Sequence, residues 1–165
     1  MIILLNGSIN SGKSTVAKLL AKELTNSALL EIDVLREMIE WMPIDQAVPI
    51  NLENAVSVIK NFSKHNIDVI VPYPLSQKNY DYMQSNLGDL NVPIVVFTLA
   101  PSLEKALTNR GARELDDWER ERIKHHYSIG IPAPKFGEII DNSEQSPEDT
   151  AKYILTKIHE LQSKS

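Results

Sequence analysis

A parallel α/β sandwich is the fold class that this sequence predicts, and three observations carry it. Short apolar runs alternate with longer segments of helical period along the whole chain. The runs lack the in-out alternation of a half-exposed sheet, so they suit strands covered on both faces. A glycine-bracketed loop, Gly7 to Ser14, joins the first run to the first helical segment.

Ile2-Ile3-Leu4-Leu5 reads as a buried strand, and Val16, Leu19, Leu20 and Leu24 then mark one helix face. Ala28 to Ile32 is a second strand, followed by a helical Val34 to Trp41. Pro43 and Pro49 predict a loop, after which Leu52, Ala55, Val56, Ile59 and Phe62 mark another helix. Ile67 to Val71, rich in β-branched residues, predicts a third strand closed by Pro72 and Pro74. Ser76 to Leu87 is helical, Gly88-Asp89 a turn, and Val92 to Leu99 the best-marked strand. Pro101 to His126 reads as one long charged helix hinged near Gly111, and Ile131 to Pro134 as a loop. Ile139-Ile140 is a short last strand. Ser146-Pro147-Glu148-Asp149 then starts a helix with a cap, a first-turn proline and acids, its stripe being Ala151, Ile154, Leu155, Ile158 and Leu161.

The 165 residues suit one domain, and 42% hydrophobic with 24% charged residues is an ordinary globular balance. With Cys 0, disulfides and thiol catalysis are excluded. The longest apolar run, Met1 to Leu5, is far too short to cross a membrane. A soluble, cytoplasmic protein is expected, with no membrane partner. The net charge of −5 disfavours duplex nucleic acid.

Gly7-Ser8-Ile9-Asn10-Ser11-Gly12-Lys13-Ser14 fits G-x-x-x-x-G-K-[ST], a match expected by chance on the order of two times in a thousand. Backbone N–H groups converge on a phosphate only where the loop turns tightly and no side chain blocks the approach, hence the glycines. The following helix adds oriented amides. Lys13 then reaches the β- and γ-phosphates and Ser14 ligates Mg²⁺, with Gly7, Asn10, Ser11, Gly12 and Thr15 completing the nucleotide cradle. Neither D-x-x-G nor N-K-x-D occurs, which excludes a GTPase switch. The third strand ends in Val71-Pro72-Tyr73-Pro74, with no carboxylate for a motor-type ATPase, and Asp68 sits at its wrong end.

The short chain, early phosphate loop and five strands resemble the small P-loop kinase superfamily: nucleoside monophosphate, shikimate, gluconate and chloramphenicol-phosphotransferase-like kinases, with zeta-toxin-like members. The resemblance implies a three-layer sandwich with a five-stranded parallel sheet of order 2-3-1-4-5, the P-loop NTP hydrolase fold. It also implies ATP, Mg²⁺, an acceptor region between strands two and three, and a lid at about residues 102–134. Asp33-Val34-Leu35-Arg36 is similar to the D-x-x-R at the end of strand two in polynucleotide-kinase-like and zeta-toxin-like members. There Asp33 positions Mg²⁺ or accepts the acceptor's proton; as a plain structural residue it caps the next helix. Arg36 is either an acceptor contact or a solvated helix residue. Arg110 and Arg113 fall where lid arginines clamp the transferring phosphoryl, although residues 104–126 mix six acids with six bases, as a solvated helix does. On a continuous helix Arg113 and Arg120 share a face.

Trp41 suits either core packing or the floor of an acceptor pocket, and Tyr73 follows strand three on the ligand side. Asn142 stands where the superfamily holds adenine. His125-His126 reads as a helix-end cation pair, not a metal site. The expected activity is ATP-dependent phosphorylation of a hydroxyl on a small-molecule or nucleoside-like acceptor. The alternatives are a polynucleotide 5′-hydroxyl kinase and a non-catalytic nucleotide-binding regulator. Neither the glycine-rich stretch of shikimate kinases nor the D-G-F-P-R-like segment of adenylate-type kinases follows strand three.

Overall fold

The computed structural model describes residues 1–109 and 114–163. Five strands, β1 (Ile2–Gly7), β2 (Ser27–Leu29), β3 (Asp68–Pro72), β4 (Ile94–Leu99) and β5 (Glu138–Ile140), form one parallel sheet in the order β2-β3-β1-β4-β5. Seven α-helices accompany them among the described residues: α1 (Lys13–Glu23), α2 (Ile32–Glu37), α3 (Ile44–Lys64), α4 (Gln77–Leu87), α5 (Leu103–Ala106), α6 (Asp117–Ser128) and α7 (Pro147–Gln162). The central strand shows why both faces must be covered. Ile2 and Leu4 point into a core shared with Leu52, Val56 and Ile59 of α3 and Met83 of α4. Ile3 and Leu5 point the other way, into Val16 and Leu20 of α1 and Ile154 and Ile158 of α7. A strand has period two, so a run of four large apolar residues loads both layers equally.

Several boundaries differ from the sequence reading, each for a physical reason. The expected loop at Pro43–Pro49 is the start of α3, with Pro43 at its N-cap and Pro49 inside it. A proline this early costs one ladder bond, and the buried stripe from Ala47 to Ile59 holds the helix regardless. Strand β2 stops at Leu29 and α2 begins at Ile32, so the helix expected over Val34 to Trp41 is shifted and shortened. The long helix expected over Pro101 to His126 is two helices, and residues 114–116 between them are not helical. The cause is a capping box: Asp116 Oδ1 accepts the Glu119 N–H at 2.7 Å while Glu119 Oε2 accepts the Asp116 N–H at 3.2 Å. Arg120 therefore belongs to a helix that starts at Asp117. Gly111, Arg110 and Arg113 lie outside the described residues. In α7 the Ser146 cap and Pro147 stand as expected, but Leu161 is exposed and lies off the buried stripe.

The layers meet at Asn6, fully buried near the end of β1. Its Nδ2 donates to Thr98 Oγ1 at 3.1 Å and to the Ile131 carbonyl at 3.0 Å, and its Oδ1 accepts the Leu75 N–H at 2.7 Å. Asn6→Ala leaves the Leu75 N–H and the Ile131 carbonyl buried without these partners. It should lower the free energy of unfolding by about 3 kcal/mol. A shift of the urea midpoint at constant m-value measures this, and an unchanged midpoint rejects the hub role.

Candidate active site

The loop from β1 to α1 lies at the carboxyl edge of the sheet, where ligands of parallel α/β folds bind. Gly7 has φ of 145°, and a Cβ there would lie 2.5 Å from the Leu99 carbonyl oxygen and 2.6 Å from Ser11 Oγ. Gly12, with φ of 96°, is the N-cap of α1, and no side chain caps that helix. Its leading N–H groups thus have neither an intrahelical partner nor a side-chain cap, which suits an incoming anion. The site shape fits a phosphate chain.

The loop is strapped from outside on two sides. Asn10, in the left-handed region at φ 61°, donates through Nδ2 to the carbonyls of Ala106 (2.9 Å) and Thr108 (2.8 Å). Asn142 donates through Nδ2 to the Ser11 carbonyl at 2.9 Å. Asn142 is buried, so its side chain supports the phosphate loop from behind. Ser11 Oγ and Asn142 Oδ1 are buried with no hydrogen-bond partner among the described residues. Lys13 Nζ donates to the Ser8 carbonyl at 2.6 Å, folded back onto its own loop. Burial lowers the Lys13 ammonium to about 8, with the Asp33 carboxylate opposing the shift. Ser14 and Thr15 are exposed on the first turn of α1.

Asp33 is not the helix cap: Glu31 occupies that position, and Asp33 lies exposed in the first turn of α2. Its charge reaches both Lys13 and the Tyr73 hydroxyl. Tyr73 is buried after β3, and burial first, then Asp33, push its phenol up to about 12; Arg122 and Arg36 oppose. Lys13, Asp33, Arg36 and Tyr73 are thus brought into one electrostatic neighbourhood. Trp41 is not: it is 79% exposed and does not line the adjoining cleft, which also removes it from the core.

Two residues of α6 belong to this neighbourhood although the sequence reading left them out. Arg122, half-buried, acts on both Tyr73 and His126. It lines a cleft of about 500 Å³ between α3, α4 and α6, with Asp45 and Glu53 on one wall and Lys78 and Asn79 on another. His126 is buried, not a helix-end cation, and its Nδ1 lies 3.3 Å from Ser8 Oγ. The available signal was the spacing of Arg122 and His126, one helical turn apart on a single face. Arg120, by contrast, donates to the Leu107 carbonyl at 2.6 Å and to Asn109 Oδ1 at 3.3 Å, bracing the chain after α5.

No protein-family model matches the sequence, and no curated protein matches it. Solved structures do. The Deinococcus radiodurans tunicamycin resistance protein is 20% identical with a TM-score of 0.69, over 95% of this chain and 94% of that one. A gluconokinase from Sinorhizobium meliloti 1021 is 16% identical with a TM-score of 0.72, over 96% and 91%. Shikimate kinase from Aquifex aeolicus is 22% identical with a TM-score of 0.60, over 100% of both chains. The chain has the fold of the P-loop kinases over its whole described length.

Burial, with Arg122, Lys13 and His125 nearby, lowers the His126 imidazole from 6.5 to about 4. Between those values the unfolded chain binds the proton and the folded one resists it, so stability falls as the pH falls through this window. His126→Gln removes that contribution. Its melting temperature should decline less between pH 6.5 and 4 than that of the native protein; an equal decline means the ring is not held neutral.

Proposed function

We propose that this protein is an ATP-dependent phosphotransferase that moves the γ-phosphoryl group to a hydroxyl of a small-molecule or nucleoside-like acceptor. The observation that carries the reading is a phosphate loop whose desolvated Lys13 faces Asp33, beside a cleft entered by Arg122. The likeness in fold to gluconokinase and shikimate kinase supports it. Gly7, Asn10, Ser11, Gly12 and the leading amides at Lys13, Ser14 and Thr15 cradle the phosphates. Asn142 holds that cradle in shape. The Asp33 carboxylate aligns the acceptor hydroxyl and takes its proton as the oxygen bonds to phosphorus and the bond to ADP breaks. Lys13 and Arg122 neutralise the charge on the transferring group, a task that Arg110 and Arg113 share. Tyr73 and Arg36 border the acceptor hydroxyl and keep Asp33 in a charged neighbourhood.

Ser14 and Asp33 offer exposed oxygen ligands for Mg²⁺, which supplies charge neutralisation at the β- and γ-phosphates when bound. Among the described residues no group of three His, Cys, Asp or Glu is placed to hold a metal by itself. Among the same residues no helix is long and apolar enough to cross a membrane.

Two tests follow from these roles. Lys13, at about 8 in the free protein, gains a proton when a phosphate anion offsets the cost of its charge. Calorimetry of ATP binding slightly above that pH, in two buffers of different ionisation enthalpy, should show net proton uptake. In Lys13→Ala the uptake and the ATP-dependent rise in melting temperature should both vanish, and their persistence rejects the loop assignment. Asp33→Asn and Arg122→Ala should each lower kcat at least tenfold while ATP still stabilises the protein. An unchanged kcat in either variant removes that side chain from the mechanism.

A further inference from the structure

We infer that the acceptor is a neutral or zwitterionic hydroxyl compound with an apolar body, and not an anionic sugar acid or a phosphorylated metabolite. The inference rests on the proposed phosphotransfer and concerns the chemistry of its second substrate. It comes from how the cleft beside Arg122 is built.

One wall of the cleft is the first part of α3. Ile44, Val48 and Leu52 follow one another at intervals of four, so they stack along one ridge of the helix. Pro49 lies on the neighbouring ridge, and Tyr82 of α4 closes the space opposite. Ile44 is 43% exposed and Tyr82 37%, so apolar surface in this cleft is open to solvent in the free protein. A ligand with a ring or aliphatic body would remove that surface from water, whereas a small polyhydroxylated acid would leave it wet.

The charges point the same way. Asp45 and Glu53 flank the apolar ridge on α3, two turns or about 12 Å apart along the axis. Lys78 and Arg122 lie on the other elements. Among the described residues none of these four side chains forms an ion pair. The cleft is therefore balanced, two carboxylates against two cations. Arg122 also acts on Tyr73 and His126, beside the phosphate loop, and in the proposed reaction its charge serves the transferring phosphoryl. That leaves Lys78 alone against Asp45 and Glu53. An anionic acceptor meets a net repulsive wall there, while hydroxyl, amide or ammonium donors find two carboxylate acceptors. Asn79, able to donate and accept, fits the same kind of ligand.

The test uses the full chain with ATP and Mg²⁺ and five hydroxyl compounds: phenyl β-glucoside, glucose and gluconate, and thymidine against its 5′-monophosphate, which keeps the 3′-hydroxyl. ADP release should give kcat/KM at least tenfold higher for phenyl β-glucoside than for gluconate, and for thymidine than for its monophosphate. Tyr82→Ala and, independently, Ile44→Ser should each cut the advantage of phenyl β-glucoside over glucose at least fivefold. Calorimetric binding to the protein loaded with a non-hydrolysable ATP analogue should give the same ranking. If that ranking appears in binding but no compound releases ADP, the phosphotransfer reading fails and the ligand class stands. If ADP is released but gluconate or the monophosphate is preferred, the ligand class is overturned and phosphotransfer stands. Binding by none of the five compounds, or a preference untouched in both variants, also overturns it.

Discussion

Everything at the ligand edge of this sheet is referred to Asn6, where a single amide side chain joins segments distant in sequence. A parallel sheet fixes its strands by backbone bonds, but the loops beyond its carboxyl edge have no such ladder. Here the last inward-facing residues of β1 provide the missing connection. Asn6 holds β4 through Thr98, the chain after β3 through Leu75, and the chain after α6 through Ile131. These three attachments surround the phosphate loop that begins one residue later. In a water-free site such bonds are costly to leave unmade, so the amide sets geometry more firmly than a packing contact of the same size.

Charge at the site is managed by burial as much as by partners. The chain is acidic overall, with 22 acids against 17 Lys and Arg, yet the positive groups converge where phosphate is expected to bind. Lys13, Arg122 and the uncapped start of α1 form a local field that the net charge does not describe. Burial, and then the cations crowded around it, keep His126 neutral. Its ring sits among Lys13, Arg122 and His125, where a further positive charge is disfavoured. As an uncharged hydrogen-bonding group it can contact Ser8 without adding to the repulsion.

The fold and the phosphate loop were legible because local patterns determine them. Four consecutive apolar residues in β1 require two covered faces, and Gly7 has no room for a side chain against the Leu99 carbonyl. The rest depended on tertiary placement. Pro49 reads locally as a breaker, but the buried stripe of α3 overrides it. Trp41 reads as core or pocket by its size, yet α2 ends before it and leaves it in solvent. Asn142 stands where the superfamily holds adenine with backbone groups, and only the fold shows that its side chain also reaches the Ser11 carbonyl. Arg122 and His126 were hidden in a run of charges whose members are indistinguishable until the orientation of α6 is known.

That orientation is itself encoded, in the capping box that starts α6 at Asp117 and not at Pro101. Breaking the charged segment there lets Arg120, Arg122 and His126 serve different ends. Arg120 turns back to Leu107 and Asn109, Arg122 faces the cleft, and His126 goes under the phosphate loop. Asn10 ties the tip of that loop to the Ala106 and Thr108 carbonyls, the same stretch that Arg120 braces. Loop, α5 and α6 therefore form one hydrogen-bonded unit, packed below by Ile9, Ala106, Leu115 and Ile123. The helix that carries Arg122 into the cleft is consequently joined by hydrogen bonds to the loop proposed to receive the nucleotide.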